Sequence, residues 1–336
     1  MTEQTNTNTG QAALGQSGAQ ALAMDPFVAS IFEIGANFYH DKHPFNRRMY
    51  SGKLSKDQLQ GWVANRYYYQ TRIPIKDGLI LAKSDDKEVR REWIHRIMDH
   101  DGDNKSRGGI ELWLDLAEAV GLDRKETAAL KLLHPDAKKA IDSYTEFVAA
   151  HPLYDCVAAS LTELFAPKIH QSRLDSWPKA YPWVKPEGFQ YFKSRLTQAP
   201  PDAKWGLEFV KDHATTVDLQ RRAREAVFYK CNLLWDLSTA IEEGFSAERR
   251  EWKPKLARKA KYRFDEIGKA HMLLLPEKGL KLDADTAALI QKCDGNTTRR
   301  DIIAGLQKQY GDRDPREVKI YVMRFLDEFE EKGIIE

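Results

Sequence analysis

From Asp25 to about Glu243 apolar residues return every three or four positions, and no stretch alternates as a half-buried strand would. Asp25-Pro26 reads as an N-cap followed by proline at the first helical position. Ser55-Lys-Asp-Gln58 has the form of a capping box at the head of a long helix, which Pro74 is expected to kink. Asp85 is a candidate cap for the next helix, expected to stop near Gly102. In GIELWLDLAEAVG, after Gly108, the residues Ile110, Leu112, Trp113, Leu116 and Val120 form one apolar stripe. Arg221 to Ile241 carries a further long helical pattern. The expectation is an all-α bundle of roughly seven helices.

The texture then changes. Residues 246–261, SAERREWKPKLARKAK, are basic, contain a proline and lack apolar periodicity, so they read as a solvated linker. YRFDEIG, HMLLLPEKG and LKLD are short runs between Gly and Pro, the marks of strands and turns. Helices are expected after them at 284–292, 298–310 and 314–332, the last opened by Asp314-Pro315. This is a winged-helix-like α+β pattern. The chain thus divides into a tail at 1–24, a helical domain at 25–245, the linker at 246–261 and a small domain at 262–336. The tail is rich in Gly, Thr, Gln and Ala, lacks the features of a signal peptide, and reads as disordered.

Charge narrows the partners. Lys and Arg number 52 against 50 Asp and Glu, so nothing draws the whole chain onto nucleic acid or an anionic membrane. From Lys261 onward the balance is 14 basic to 15 acidic, which argues against the DNA binding a winged helix would suggest and favours a peptide or protein partner. No apolar run approaches the roughly eighteen residues of a membrane span. Cys156, Cys231 and Cys293 lie far apart with no CxxC, so a reducing, cytoplasmic setting is expected.

The candidate chemistry centres on SLTELFAPKIHQSRLDSWPKAYPW, residues 160–183. Glu163, His170 and Arg173, at offsets of seven and three, would share one helix face with the small Ala166 between acid and imidazole. Arg66 and Gln70, Arg96 and His100, and Tyr191 and Arg195 are each four apart, with Tyr69 beside the first pair. Such pairs are common on solvated faces. These sit among Trp62, Tyr67, Tyr68, Trp93, Phe189 and Phe192, which suggests burial. His40, His43, His100, His170 and Glu163 could be imagined around a metal, but no HExxH or ExxH pair supports one. No phosphate loop or dinucleotide fingerprint is present. Cys156 beside His151 is a weak candidate nucleophile and more plausibly a small buried thiol; His43 before Pro44 reads as a cap, Tyr67, Tyr68 and Trp62 as core, and Arg221, Arg222 and Arg224 as a solvated face. Converging arginines suit a planar polyanion, and histidines suit proton transfer near neutrality. The residues suggest acid–base chemistry on a polycarboxylate and go no further.

FYHDKHPFN, GWVANRYYYQTRIPIKDG, RIMDHDGD, SLTELFAPKIHQSRLDSWP and YFKSRL resemble the pyrroloquinoline-quinone (PQQ) synthase family, PqqC, over residues 25 to about 243. HMLLLPEKGLKL and LIQKCDG resemble the small peptide chaperone PqqD over residues 262–336. The resemblance implies a heme-oxygenase-like bundle of TenA/PqqC type, commonly a homodimer. It implies ring closure and multi-electron oxidation of a bicyclic tricarboxylate to PQQ by dioxygen, with hydrogen peroxide released and no metal or organic cofactor. His40, Arg66, Gln70, Arg96, Arg173 and Lys230 would hold the quinoid substrate, and Tyr69, Tyr144, Thr162 and Glu163 would complete the wall. His100 and His170 would move protons, and Tyr191 and Arg195, with His100, would shape the dioxygen site. The small domain would bind a PqqA-type precursor peptide and dock a radical-SAM enzyme of PqqE type. Two other readings stay open: a pathway scaffold with weak catalysis, and a thiaminase-like hydrolase using Cys156.

Overall fold

The computed structural model describes residues 22–336; nearly all of the expected tail lies outside them. Its last residues do not dangle: Leu22 N–H donates to Gln220 Oε1 at 2.7 Å, and Gln220 Nε2 donates back to Leu22 O at 2.9 Å. Eleven α-helices follow: α1 (Met24–Phe38), α2 (Pro44–Tyr50), α3 (Lys56–Leu81), α4 (Lys87–Asp101), α5 (Gly108–Ala119), α6 (Arg124–Ala128), α7 (Pro135–Ala150), α8 (Leu153–Ser160), α9 (Ala166–Ala180), α10 (Gln190–His213) and α11 (Val217–Gly244). Short 3₁₀ turns at His40–Lys42, Leu161–Phe165 and Pro186–Phe189 join some of them. Beyond α12 (Ala247–Arg250) come β1 (Lys261–Asp265), β2 (Ala270–Leu275) and β3 (Lys278–Leu282). Then follow α13 (Ala284–Gln291), α14 (Arg299–Gln309) and α15 (Pro315–Glu331). The strands form one antiparallel sheet in the order β1-β2-β3, with Leu273 of β2 opposite Tyr262 and Leu280.

Several sequence signals act as expected. Ser55 accepts from Gln58 N–H and Gln58 reciprocates, a complete capping box on α3. Asp314 caps α15 by accepting from Arg316 N–H. Others need correction. The first cap is Ala23 without a side-chain bond, and Asp25 lies in the first turn. Asp86 rather than Asp85 caps α4, because its carboxylate meets Glu88 N–H at 2.8 Å. α3 continues through Pro74 to Leu81, held by packing on α4 and α7. Glu163 lies on the Leu161–Phe165 turn, before α9 begins, and so does not share one α-helix with His170 and Arg173.

Two apolar cores fill the bundle. One gathers Phe27, Ile31, Trp93, Tyr144, Phe228 and Trp235; the other gathers Trp62, Trp113, Trp177, Phe189, Tyr191 and Phe192. Tyr50 and Tyr69 pack against both and mark the seam between them. Among the described residues no helix is long and apolar enough to cross a membrane.

The expected tether is instead structured. Lys255 pairs with Asp294 and Leu256 with Ile335, and Ala257 N–H donates to Ile334 O at 2.9 Å. The small domain has its own core of Leu273, Leu289, Ile302, Leu306, Val322 and Leu326. Its α15 also lends Ile320 and Met323 to the first bundle core. Buried Glu242 of α11 ion-pairs with Arg48 of α2 and with Arg299 of α14, at 2.8 Å for Arg299.

Close packing of α1 on the turn that carries Glu163 sets one test. A Cβ at Gly35 would lie 2.1 Å from Phe165 Cζ. Gly35→Ala is expected to destabilise the protein by about 1–3 kcal/mol through overpacking, measured by urea unfolding.

Candidate active site

Most residues expected at the site gather at the seam between the two cores. α3 supplies Arg66, Tyr69 and Gln70, and α4 supplies Arg96 and His100. Tyr144 comes from α7, Thr162 and Glu163 from the 3₁₀ turn, and His170 and Arg173 from α9. Tyr191 and Arg195 come from α10, Lys230 from α11, and His40 from the turn before α2. The group is linked by contacts. Arg66 stacks on Tyr69 at 4.1 Å, and Lys230 Nζ lies over the Tyr69 and Tyr144 rings at 4.6 and 3.2 Å. Tyr191 O–H donates to Gln70 Oε1 at 2.9 Å, and His170 lies edge-on to Tyr191 at 5.9 Å.

The arginines divide into two kinds. Arg96 is ion-paired to Glu163, lies 4.0 Å from Asp202 and rests on Trp93. Arg195 lies 3.8 Å from Asp99. Arg66, Arg173 and Lys230 have no carboxylate at ion-pair distance among the described residues. Arg66 Nε and Nη1, Arg173 Nε and Nη2, Lys230 Nζ, Gln70 Nε2 and His170 Nδ1 are buried without a hydrogen-bond partner. Each such donor costs about 1–3 kcal/mol, more where charged, so a cluster of them marks where an anion would bind.

Electrostatics follow from that excess. Burial, with Arg66 and Arg173, holds His40 well below the ordinary imidazole range; burial, with Arg173 and Arg195, does the same to His170. Burial, with Arg195, brings His100 down to about 4. Burial, with Lys76 and Arg66, lowers Lys230 far below an ordinary lysine. Burial opposes ionisation of Glu163, yet Arg96, Lys76 and Arg195 prevail and bring it down to about 2. Burial pushes Tyr69 up to about 12 and Asp202 up to about 6.

Hydrogen bonds fix two tautomers. His100 Nδ1 faces the carbonyl of Arg96 at 3.0 Å, which can only accept, so Nδ1 carries the proton and Nε2 the lone pair. Asn46 Nδ2 donates to His40 O at 2.7 Å and therefore also donates to His40 Nδ1 at 3.1 Å, leaving the His40 proton on Nε2. The two rings are complementary: one presents an acceptor, the other a donor.

Sequence reasoning missed the residues behind these. Lys76 and Asp77, buried and 2.5 Å apart, stand behind the wall, and Asp77 accepts from Trp93 Nε1 at 2.8 Å. Asp77 is seven residues beyond Gln70, and Asp202 seven beyond Arg195, the same offset that drew attention to Glu163 and His170. Tyr50, at the seam, had no such signal.

The remaining candidates fall away from the site. His43 caps α2, accepting from Phe45 N–H at 3.0 Å. Trp62, Tyr67 and Tyr68 are core. Arg222 is not a merely solvated residue, since it holds Asp155 through two bonds of 2.9 and 3.1 Å. Cys156 is fully buried, its thiol donates to the carbonyls of Val148 and His151, and burial pushes it up to about 11. Among the described residues no three His, Cys, Asp or Glu side chains gather as a metal would require.

The chain has matching relatives. Residues 29–240 match the TENA/THI-4/PQQC family and residues 270–335 match coenzyme PQQ synthesis protein D (PqqD). A TenA homologue from Pseudomonas syringae pv. tomato superposes with a TM-score of 0.53 at 12% identity, covering 68% of this chain and 96% of that one. That likeness shows the fold, a TenA-type helical bundle. A bifunctional coenzyme PQQ synthesis protein C/D from Methylorubrum extorquens is 36% identical, covering 94% of this chain and 95% of its own. A pyrroloquinoline-quinone synthase from Pseudomonas aeruginosa is 48% identical over 63% of this chain and 85% of its own. The chain belongs to the TENA/THI-4/PQQC family. Within it, the PqqD domain behind the bundle gives it the two-part layout of the C/D proteins.

Four buried neutral histidines, His40, His43, His100 and His170, make stability depend on pH. Unfolded histidines take up protons below about 6.5, whereas folded His100 resists until about 4 and His40, His43 and His170 resist likewise. Stability is therefore full above 6.5 and is expected to fall with acid, by up to about 1.4 kcal/mol per pH unit per histidine. Asp202 acts in the opposite sense, since its folded carboxyl holds a proton up to about 6, and burial raises Asp99 and Asp327 the same way; unfolded histidines charge at higher pH than these carboxyls and set the first part of the decline. Urea unfolding from pH 7.5 to 5 should show the decline, and His100→Asn should flatten it; a profile flat in the parent protein would contradict neutral histidines.

Proposed function

We propose that this chain is a pyrroloquinoline-quinone synthase: its bundle binds a bicyclic tricarboxylate and oxidises it to the quinone with dioxygen as electron acceptor. The observation that carries the reading is the uncompensated buried charge of Arg66, Arg173 and Lys230, which suits a small polyanion. We assign the substrate's carboxylates to these three, with Gln70 Nε2 and His40 Nε2–H on its carbonyl oxygens. Arg96 already has Glu163 and Asp202, so it braces the wall with Tyr69, Tyr144 and Thr162 and is not a principal anion contact.

The acceptor at His100 Nε2 would take a proton from substrate carbon as electrons leave toward dioxygen. The donor at His40 would stabilise the negative charge that collects on a carbonyl oxygen. Arg195, with Tyr191 and His100 nearby, would stabilise the superoxide or peroxide that forms, and protons from substrate would complete hydrogen peroxide. His170, neutral and without a partner at Nδ1, would serve as a second proton carrier. The quinoid substrate carries its own redox chemistry in this reading, so no metal or organic cofactor is assigned. For the C-terminal domain we propose binding of the pathway's precursor peptide and docking of a radical-SAM partner, which the PqqD match supports, and for the whole chain we propose a homodimer. A cytoplasmic setting fits three cysteines that are all free and buried.

Oxygen uptake and quinone absorbance on adding the tricarboxylate precursor to metal-free protein test the central reading. Coupled oxygen consumption and quinone formation are expected. Arg195→Ala should lose turnover by about a hundredfold while still binding precursor. Tight binding without oxygen consumption by the unmodified protein would leave a carrier or scaffold and remove the roles given to His100, Tyr191 and Arg195. Cys156→Ala should keep full activity, as its burial among apolar residues demands; lost activity with an unchanged fold would revive the hydrolase.

A further inference from the structure

Helix α2 is the part of the site least able to hold itself. It has seven residues, about two turns, too few for a helix to persist by its own hydrogen bonds. Its inner side carries Asn46, which binds His40 O and Nδ1 and lies 3.3 Å from Ser238 Oγ of α11. Its outer side carries Arg47 and Arg48, and both guanidinium groups hold one carboxylate, Asp327 of α15, at 3.0 Å each. Asp327 is only 4% exposed, and Arg48 also pairs with fully buried Glu242. This is therefore not a solvent-screened surface bridge.

A second strand of contacts runs beside the first. Since His43 Nδ1 accepts from Phe45, its Nε2 carries the proton and donates to Thr239 Oγ1 at 3.0 Å. The Thr239 hydroxyl in turn donates to Met323 Sδ of α15 at 3.8 Å. Met323 is buried in the bundle's own core. The short segment from His40 to Tyr50 is thus gripped from one side by α15 and presents a substrate-facing histidine on the other.

We propose that α15 of the C-terminal domain is a positioning element of the oxidase site: through Asp327 and Met323 it fixes α2, and through Asn46 it sets His40. Precursor affinity then depends on a helix that touches no substrate. The inference rests on the reading of His40 as a substrate contact.

The test uses full-length protein with Asp327→Asn, His40→Gln and the double variant. Precursor dissociation constants are measured without oxygen, kcat with oxygen, and the imidazole ¹⁵N signals of His40 in unliganded protein, with thermal melting as a control for folding. Asp327→Asn should weaken binding about tenfold and lower kcat at saturation as well, since His40 also stabilises charge on the substrate carbonyl, and should add nothing to His40→Gln in either quantity. It should also move the His40 signals. Thr239→Val, which keeps shape and cuts the second strand, should shift affinity and signals in the same direction. Independent, multiplying effects in the double variant, or His40 signals unmoved in Asp327→Asn, would overturn the proposal and leave Asp327 with domain docking alone. If His40→Gln binds precursor normally, the substrate contact given to His40 falls; the link from α15 then stands if the His40 signals move and falls if they do not.

Discussion

Buried nitrogens of Arg66, Arg173 and Lys230 stand without protein carboxylates among the described residues, and the surrounding architecture answers their cost. An isolated buried cation costs several kcal/mol even after relaxation. The two apolar cores bear that cost, one on each side of the seam, with the aromatic faces of Tyr69, Tyr144, Trp62 and Phe192 offering local relief. Electrostatic preorganisation of this kind is established at folding, so it need not be assembled when an anion arrives. The neutrality of His40, His100 and His170 follows from burial first, with Arg66 and Arg173 near His40, Arg195 near His100, and Arg173 and Arg195 near His170 acting in the same direction.

The paired arginines show the contrast. Arg96, between Glu163 and Asp202, and Arg195, beside Asp99, are themselves buried but hold acids that are partly exposed. A cation with its own counter-ion is held in place and gives a directed field; a cation without one gives affinity. Distributing the two kinds over α3, α9 and α11 on one side and α4 and α10 on the other gives the site a polarity no single helix could supply.

Much of this was legible in the chain. The helical period, the capping box at Ser55 and the strand–helix order after Lys261 identified both architectures, because local propensity and pattern agree there. The i,i+4 offsets found Arg66, Gln70, Arg96, His100, Tyr191 and Arg195, and the i,i+3 offset found His170 and Arg173, since helical geometry puts those spacings on one face. His40, Tyr144 and Lys230 each reach the site singly from their own elements, and Thr162 lies directly beside Glu163 on a 3₁₀ turn, so no helical spacing marked them and only the family resemblance placed them at a substrate. The pairing of Arg96 with Glu163 and the docking of α15 on α2 depend on contacts more than sixty residues apart in sequence, which periodicity does not encode. Residues 246–261 misled for a related reason: Lys255, Leu256 and Ala257 act through backbone groups, to which side-chain pattern is blind.

That last segment has a consequence for how the two domains communicate. A flexible linker lets a domain search, and its usefulness is set by an effective concentration. Here the backbone enters the C-terminal domain's own hydrogen-bonding network within a dozen residues of the end of α11, with Arg249 fastened to Glu330 on the way. Little slack remains to be averaged over. Anything the C-terminal domain carries is offered to the bundle from one fixed bearing, so the connection specifies a direction of approach where a tether would specify only a probability of arrival.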